Sequence, residues 1–323
     1  MTRQICALVA AVLLGAAGWP LQAAAEERYA LIVSGVSGTE KFAETQKGLV
    51  TSLQSVLEKR LGFAADRITV LAEGTAAPGL ANRENVTKSF AALKPALTAD
   101  DMLFVVLIGH GTFDGTAAKF NLVGPDMDAR QWKALLDGIP ARLVFVNTTS
   151  SSFPFVAELS GKNRIVIAAT DSPAQKYATM FPQYFIEALD QGAKADNDKN
   201  GRLSVWEVFA YASQAVKQAF EQKGTLVTER AVIDDDGDGK GKEAAATGTD
   251  GVLARTTFLD SSPAASSGNA ALVELDRRRI TIEAEIEQLK AKKGDMPAGQ
   301  YEEEFERLAI ELARISAQIR STK

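Results

Sequence analysis

The residues best suited to catalysis follow two apolar segments that the sequence predicts to be neighbouring buried strands. His110 is the only histidine of the 323 residues, and it comes directly after Met102–Ile108 with a glycine on each side. The hydroxyl-rich run 148–152 follows the next apolar segment, Arg142–Asn147. Because the carboxyl ends of parallel strands meet at one edge of a sheet, we expect these side chains to lie close together. An imidazole beside a hydroxyl could act as the base that activates a nucleophile.

Within this group, Thr149 and Ser150 are the candidate nucleophiles, and His110 is the only imidazole able to serve them. Gly111 could let a substrate approach the backbone closely. Asp171, just beyond another predicted strand, is a further candidate for substrate binding. The alternative interpretation is structural, with a histidine in a turn and hydroxyl groups that cap the following helix.

A second kind of chemistry is indicated by residues 196–207, which match the twelve-residue calcium loop of an EF-hand. Such a loop binds the ion through oxygen atoms at positions 1, 3, 5, 7, 9 and 12, and a glycine at position 6 makes the sharp turn. The residues at those ligand positions are Asp196, Asp198, Asn200, Arg202 (through its carbonyl), Ser204 and Glu207. The sequence therefore predicts Ca²⁺ as a cofactor, with a Kd of about 10⁻⁴ to 10⁻³ M as in extracellular modules. A solvated acidic turn is the alternative.

Residues 234–241 form another acidic run, which begins like a calcium loop but lacks the closing glutamate. It could bind Ca²⁺ with help from a residue elsewhere in the chain, or it could be a flexible solvated loop. The sequence leaves both interpretations open.

The segments that must position these residues alternate between short β-rich runs and stretches of helical periodicity. Runs such as Met102–Ile108 are apolar on both faces, which is typical of central parallel strands covered by helices. The sequence therefore predicts an α/β fold with a doubly wound, mainly parallel sheet. The predicted strands are Tyr29–Val33, Ile68–Leu71, Met102–Ile108, Arg142–Asn147 and Arg164–Ala169, and the predicted helices are 40–61, 84–97, 129–136, 155–159, 181–189 and 204–220.

The two strand-end segments also resemble those of a known group of peptidases. Ile108-Gly109-His110-Gly111 and the later Asn147-Thr148-Thr149-Ser150-Ser151 are similar to the His-Gly and Asp/Glu-Ala-Cys-x-Ser-Gly motifs of the legumain and caspase clan. The alternating elements over residues 29–221 agree with a caspase-like fold. The resemblance implies that His110 occupies the position of the catalytic histidine and Thr149 that of the nucleophilic cysteine.

This chain departs from the clan at that nucleophile. Its only cysteine is Cys6, and Asn147 stands at the acidic position of the motif. A thiol is partly thiolate near neutral pH, whereas a hydroxyl needs a strong and well-oriented base. We therefore expect no cysteine-type proteolysis, and hydrolysis by Thr149 or Ser150 with His110 is the alternative.

The C-terminal part of the chain differs in composition and periodicity from the predicted domain over residues 26–243. Residues 244–270 are rich in alanine, glycine, serine and threonine, which predicts a linker. Apolar residues then recur at heptad spacing over 301–319 and, more briefly, over 275–289. The sequence predicts a helical hairpin (coiled coil) over residues 271–323. Its two helices could pack on each other, or they could mediate a homo-oligomer or bind a partner.

The N-terminal residues and the net charge of the chain limit the remaining classes of function. Residues 1–25 have a basic start, an apolar run and small residues before Glu26, as in a secretory signal peptide. Its removal would leave no stable membrane anchor and no thiol, and we expect a periplasmic or extracellular protein. The formal net charge of −5 gives no basic surface for nucleic acid. Taken together, these features predict an exported, catalytically degenerate member of the clan that serves as a calcium-stabilised binding or assembly module, with a peptide or protein partner.

Overall fold

A computed structural model describes residues 26–75, 79–246, 248–262, 264 and 267–322. The signal peptide predicted for residues 1–25 lies outside the described residues. Among the described helices, none combines the length and the apolar character needed to cross a bilayer.

The centre of the fold is a six-stranded sheet in the order β2-β1-β3-β7-β8-β9. Its first five strands in that order are parallel, and β9 at one edge is antiparallel to β8. A small antiparallel sheet follows β3 in the chain and has the order β4-β5-β6. The strands are β1 (Arg28–Ser34), β2 (Ile68–Ala72), β3 (Met102–Ile108), β4 (Gly111–Phe113), β5 (Ala118–Phe120), β6 (Met127–Asp128), β7 (Arg142–Asn147), β8 (Arg164–Ala168) and β9 (Val232–Asp234).

Helices cover both faces of the central sheet, as the apolar strands require. The helices are α1 (Glu40–Lys59), α2 (Arg83–Ala96), α3 (Ala129–Leu136), α4 (Pro154–Leu159), α5 (Phe181–Asp190), α6 (Val205–Gln222), α7 (Val252–Arg255), α8 (Ala270–Ala291) and α9 (Ala298–Thr322). One buried cluster joins the sheet to α1, α5 and α6, and a second joins its other face to α2, α3 and α4. The predicted α/β fold with a doubly wound, mainly parallel sheet is confirmed.

The register of the sheet brings the two strand ends together. β3 and β7 are adjacent and parallel, and Leu107 pairs with Asn147. The chain therefore leaves both strands at the same edge, with His110 after one and Thr149 after the other. This pairing is the structural basis of the candidate site.

Part of the predicted linker is folded against the domain instead. Leu259 is buried in the core on the α6 side, and its N–H donates to Leu203 O at 2.9 Å. Phe258 is paired with Ser204 in a short antiparallel bridge. The linker prediction was wrong for this stretch. The residues around it are mostly small and polar, and such a composition does not reveal that a few apolar residues among them pack into a core.

The C-terminal helical hairpin is present as predicted. Its helices α8 and α9 pack along a shared apolar seam of Ile282, Ile286, Leu289, Leu308 and Ile315. The hairpin is joined by a short turn around Gly294. Self-packing of the two helices therefore accounts for the heptad pattern within one chain, and homo-oligomer formation stays a prediction.

Candidate functional site

His110 is held at the sheet edge by the loop that follows β1. Its Nε2 lies 3.1 Å from the carbonyl oxygen of Ser37. A carbonyl can only accept, so Nε2 carries the hydrogen and Nδ1 keeps its lone pair in the neutral ring. Phe42 of α1 packs edge-on against the imidazole at 4.8 Å between ring centroids. These contacts orient a half-buried histidine with one nitrogen free to act as a base.

The hydroxyl of Thr149 is turned into the protein. Its side chain is 0% exposed, and Oγ1 lies 2.7 Å from Asn147 Oδ1 and 3.1 Å from the carbonyl oxygen of Ser150. Asn147 Oδ1 also accepts the backbone N–H of Thr149 at 3.1 Å. Thr149 therefore caps its own strand end, and its hydroxyl makes no hydrogen bond to His110 among the described residues.

Ser150 and Gly111 tie the two strand ends to each other. Ser150 Oγ donates to Gly111 O at 2.9 Å and accepts from Gly111 N at 3.3 Å. A Cβ at Gly111 would lie 2.1 Å from Ser150 O and 2.6 Å from Thr149 Oγ1. The contact requires glycine at this position. Gly111 thus serves close packing against the hydroxyl run, and not only access for a substrate.

Asp171 lies at the same edge of the sheet, after β8. Its carboxylate forms an ion pair with Arg230 at 2.7 Å. Arg230 is half-exposed and Asp171 is less so, so a ligand at this edge would meet a paired acid and a partly accessible guanidinium.

Glu229, beside Arg230, is a buried acid that the sequence motifs did not single out. Its carboxylate accepts the backbone N–H groups of Met180 at 2.8 Å and Phe181 at 2.7 Å, at the start of α5. Burial raises the pKa of Glu229 to about 7, although these two hydrogen bonds act in the opposite direction. Recognising it from sequence would have required knowing that this residue folds back onto a helix 48 residues away.

The loop 196–207 has the hydrogen bonds that a calcium loop needs to make its turn. Asp196 accepts from Gly201 N at 3.0 Å, and Gly201 has a φ of +79°, where glycine is favoured. Asp198 and Asn200 each accept the N–H two residues further on, at 3.0 and 2.7 Å. The backbone N–H groups of the loop therefore turn inward and donate to its own acidic and amide side chains.

Three carboxylates converge inside this loop. One oxygen each of Asp196, Asp198 and Glu207 lies within 4.8 Å of the other two. Glu207 accepts from Asn197 N at 2.8 Å with one oxygen, and from Ser204 Oγ at 2.7 Å with the other. Burial raises the pKa of Asp198, and the nearby carboxylates of Glu207 and Asp196 raise it further. Such a group of oxygens is the donor set that Ca²⁺ prefers.

Arg202, at position 7 of the loop, has a side chain that faces the C-terminal part of the chain. The buried guanidinium lies over the ring of Phe258 at 4.1 Å and donates to Asp260 O at 3.0 Å. It also lies 3.9 Å from the carboxylate of Asp276 in α8. The predicted role of Arg202 concerned its carbonyl only, but its side chain connects the acidic loop to the hairpin.

No protein-family model matches this sequence, and it matches no curated protein. Its fold is similar to several solved structures. The Drosophila initiator caspase Dronc is 14% identical with a TM-score of 0.47, over 67% of this chain and 81% of the caspase. A protein of Geobacter sulfurreducens is 12% identical with a TM-score of 0.43, over 64% and 92% of the two chains. A secreted C11 cysteine protease from Bacteroides thetaiotaomicron is 11% identical with a TM-score of 0.40, over 66% and 67%.

Proposed function

We propose that this chain is an exported protein with a peptidase-like fold that does not cleave peptides by cysteine chemistry and acts as a calcium-stabilised binding or assembly module. The observation that carries the proposal is the state of Thr149. Its hydroxyl is buried and donates within its own strand end, where the resemblance to the legumain and caspase clan puts a nucleophile.

The edge of the sheet offers a surface for a peptide or protein partner. Phe42 and Tyr177 are exposed aromatic side chains, and Tyr177 is 81% exposed. Phe42 contacts His110, and the loop of Tyr177 is held beside the hydroxyl run through Gln175 O, which accepts from Ser151 N at 2.8 Å. Exposed aromatic rings beside hydrogen-bonding groups are common at protein interfaces.

The calcium part of the proposal rests on the loop 196–207. Its three carboxylates are close enough to repel one another, and a divalent cation would neutralise them. The bridge between Ser204 of the loop and Phe258 also joins the start of α6 to the buried segment 256–259. An ion bound there would stabilise this junction by mass action.

A hydrolase that uses Thr149 or Ser150 is the second candidate. It is favoured by the orientation of His110, whose Nε2 is held by Ser37 O so that Nδ1 is left as a base. It requires the loop 148–152 to open, because Thr149 and Ser150 are buried and donate to neighbouring oxygens.

Peptide cleavage separates the two candidates. The purified protein without its signal peptide is incubated with a peptide library, with and without Ca²⁺, beside a His110→Ala variant. We expect no cleavage that depends on His110. Cleavage by the wild type that disappears in His110→Ala would overturn the proposal and establish the hydrolase.

The calcium part is tested by the thermal unfolding of the wild type and of Asp196→Ala. We expect Ca²⁺ to raise the unfolding temperature of the wild type more than that of Asp196→Ala, because the variant loses the first ligand of the loop. The charge-matched control is Asp100→Ala, at an exposed position outside the loop. An equal shift in all three proteins would remove the loop from the proposal.

A further inference from the structure

The second acidic run begins at the end of β9, inside the fold. Asp234 is fully buried, and its carboxylate accepts from Ser160 Oγ at 3.0 Å and from Gly239 N at 2.6 Å. Asp236 follows at the surface, where its Oδ1 accepts from Asp238 N at 2.9 Å. The run is therefore an ordered turn anchored to the sheet.

This turn has the same internal hydrogen bonds as the loop 196–207. In both, the first acid accepts the N–H of the glycine five residues later, Gly201 in one loop and Gly239 in the other. The two glycines have similar φ values of +79° and +74°. The chain thus takes the path of a calcium loop twice, although only the first copy has a glutamate at position 12.

Asp250 takes the place of that missing glutamate. In the first loop, Glu207 accepts from Asn197 N at 2.8 Å, the N–H of loop position 2. In the second, Asp250 Oδ1 accepts from Asp235 N at 3.0 Å, which is also position 2. The closing carboxylate therefore arrives from a point farther along the chain than position 12.

The second carboxylate oxygen of Asp250, Oδ2, is the evidence that this turn binds a ligand. The Asp250 side chain is 1% exposed, and Oδ2 has no hydrogen-bond partner among the described residues. Lys242 Nζ forms an ion pair with Oδ2 at 3.7 Å, a distance too long for a hydrogen bond. One oxygen each of Asp234, Asp236 and Asp250 lies within 4.8 Å of the other two. Three carboxylates this close together, two of them buried, are costly unless cations neutralise them, and Lys242 supplies only one positive charge.

We propose that Asp234, Asp236 and Asp250 bind a second Ca²⁺ ion, with Asp238 and the carbonyl of Lys240 at loop positions 5 and 7. All of these donors are oxygens, and three carboxylates come from an irregular turn. Ca²⁺ accepts six to eight oxygens in flexible geometry, whereas Mg²⁺ demands a near-ideal octahedron. The site is separate from the loop 196–207 and does not depend on the proposed lack of catalysis.

An ion at this site would brace the segment that follows the hydroxyl run. A Cβ on Gly239 would lie 3.4 Å from Ala157 Cα in α4, and Ser160 at the end of that helix donates to Asp234. The helix α4 begins directly after the run 148–152. Calcium bound by Asp234 would therefore fix the C-terminal end of α4, the helix that follows the loop of Thr149.

Calcium binding by the full chain tests the site. The Asp196→Ala variant is used so that the loop 196–207 does not contribute a bound ion. The variant is stripped of metal with a chelator and dialysed to equilibrium against radioactive Ca²⁺. The Ca²⁺ concentration is raised to about 10 mM, which is above the Kd range of weak extracellular sites. We expect one ion per chain. Adding Asp250→Asn should lower the affinity by at least about tenfold, because a charged ligand is lost. Adding Asp100→Asn, the control at an exposed position, should leave the affinity unchanged.

Two outcomes overturn the proposal. One is no Ca²⁺ bound to Asp196→Ala, and the other is undiminished binding when Asp250→Asn is added. If the Asp250→Asn chain does not fold, as judged by circular dichroism, Asp236→Asn takes its place, because the Asp236 side chain is exposed. Undiminished binding by that variant also overturns the proposal. Failure of the first loop would appear separately, as an equal number of ions on the wild type and on Asp196→Ala.

Discussion

The hydroxyl of Thr149 has a structural role at the end of β7. Its Oγ1 lies 2.7 Å from Asn147 Oδ1, whereas the hydrogen bond of the His110 ring goes to Ser37 O. A hydroxyl has a single proton, so donating it to Asn147 removes it from any reaction with a base. The same contact satisfies an amide oxygen that burial would otherwise leave with only one backbone donor. The residue therefore stabilises the strand end through its hydroxyl.

The first prediction concerns this contact. Thr149→Val keeps the shape of the side chain and removes the donor, so we expect the free energy of unfolding to fall by about 1–2 kcal/mol. Urea unfolding measures the change. Thr45→Val, on the exposed face of α1, should change stability by less than about 0.5 kcal/mol. Equal effects of the two substitutions would show that the Thr149 hydroxyl is not a structural donor.

The second prediction concerns the pH dependence that Glu229 gives to stability. Its pKa is about 7 in the fold, above the usual 4.5, because the carboxylate is buried. The folded state therefore binds the proton more tightly than the unfolded state, and stability falls as the pH rises from about 4.5 to 7. Lowering the pH from 8 to 6 should stabilise the wild type relative to Glu229→Gln by roughly 1 kcal/mol.

Unfolding in urea at several pH values measures this difference. The control is Glu303→Gln on the exposed face of α9, whose difference from the wild type should be constant with pH. A constant difference for Glu229→Gln as well would mean that Glu229 is ionised throughout this range.

At the scale of elements, the strands that could be predicted are those apolar on both faces. The strands β1, β2, β3, β7 and β8 lie within one residue of their predicted bounds, because a central parallel strand needs a continuous apolar run. The strands β4 to β6 and β9 have only two or three residues each, and their pairing depends on tertiary contacts. Such short segments carry no periodicity in the sequence.

The third prediction is that residues 256–260 are part of the core. Leu259 is fully buried and packs with the cluster on the α6 side, so Leu259→Ala should reduce the free energy of unfolding by about 2–4 kcal/mol. Leu226→Ala is the matched control, because Leu226 is 86% exposed and should contribute little. Denaturant unfolding of both variants measures the difference. A flexible linker would instead make the two substitutions equally mild.

At the scale of the molecule, the part of the candidate site that could be predicted is the part whose position is set by neighbouring parallel strands. His110 and Thr149 could be placed together because each follows an apolar strand, and those strands pair directly. The roles of Ser37 and Asp250 could not be predicted, because they depend on contacts between loops that are far apart in the chain. Composition indicates the number of acids in a loop, but only the folded path shows which carboxylate closes it.

The hairpin and the loop 196–207 meet across a cleft that both line. Glu283 of α8 and Asp198 of the loop face this cleft. Burial raises the pKa of Glu283, and the charge of Asp198 raises it further, whereas Arg279 lowers it. A cation in the loop would remove part of this repulsion, so Ca²⁺ should favour docking of the hairpin on the domain.

The fourth prediction follows from that repulsion. Glu283→Gln should raise the unfolding temperature of the calcium-free protein and reduce the further rise on adding Ca²⁺, because the like charge that the ion would offset is already absent. Glu285→Gln removes the same charge from an exposed position on the same helix and should leave both temperatures close to those of the wild type. Thermal unfolding with a chelator and with Ca²⁺ measures the two shifts. If Glu283→Gln and Glu285→Gln behave alike, the stability of the docked hairpin does not depend on the charge of the loop, and the ion pairs Arg202–Asp276 and Arg255–Glu287 remain among its contacts with the domain.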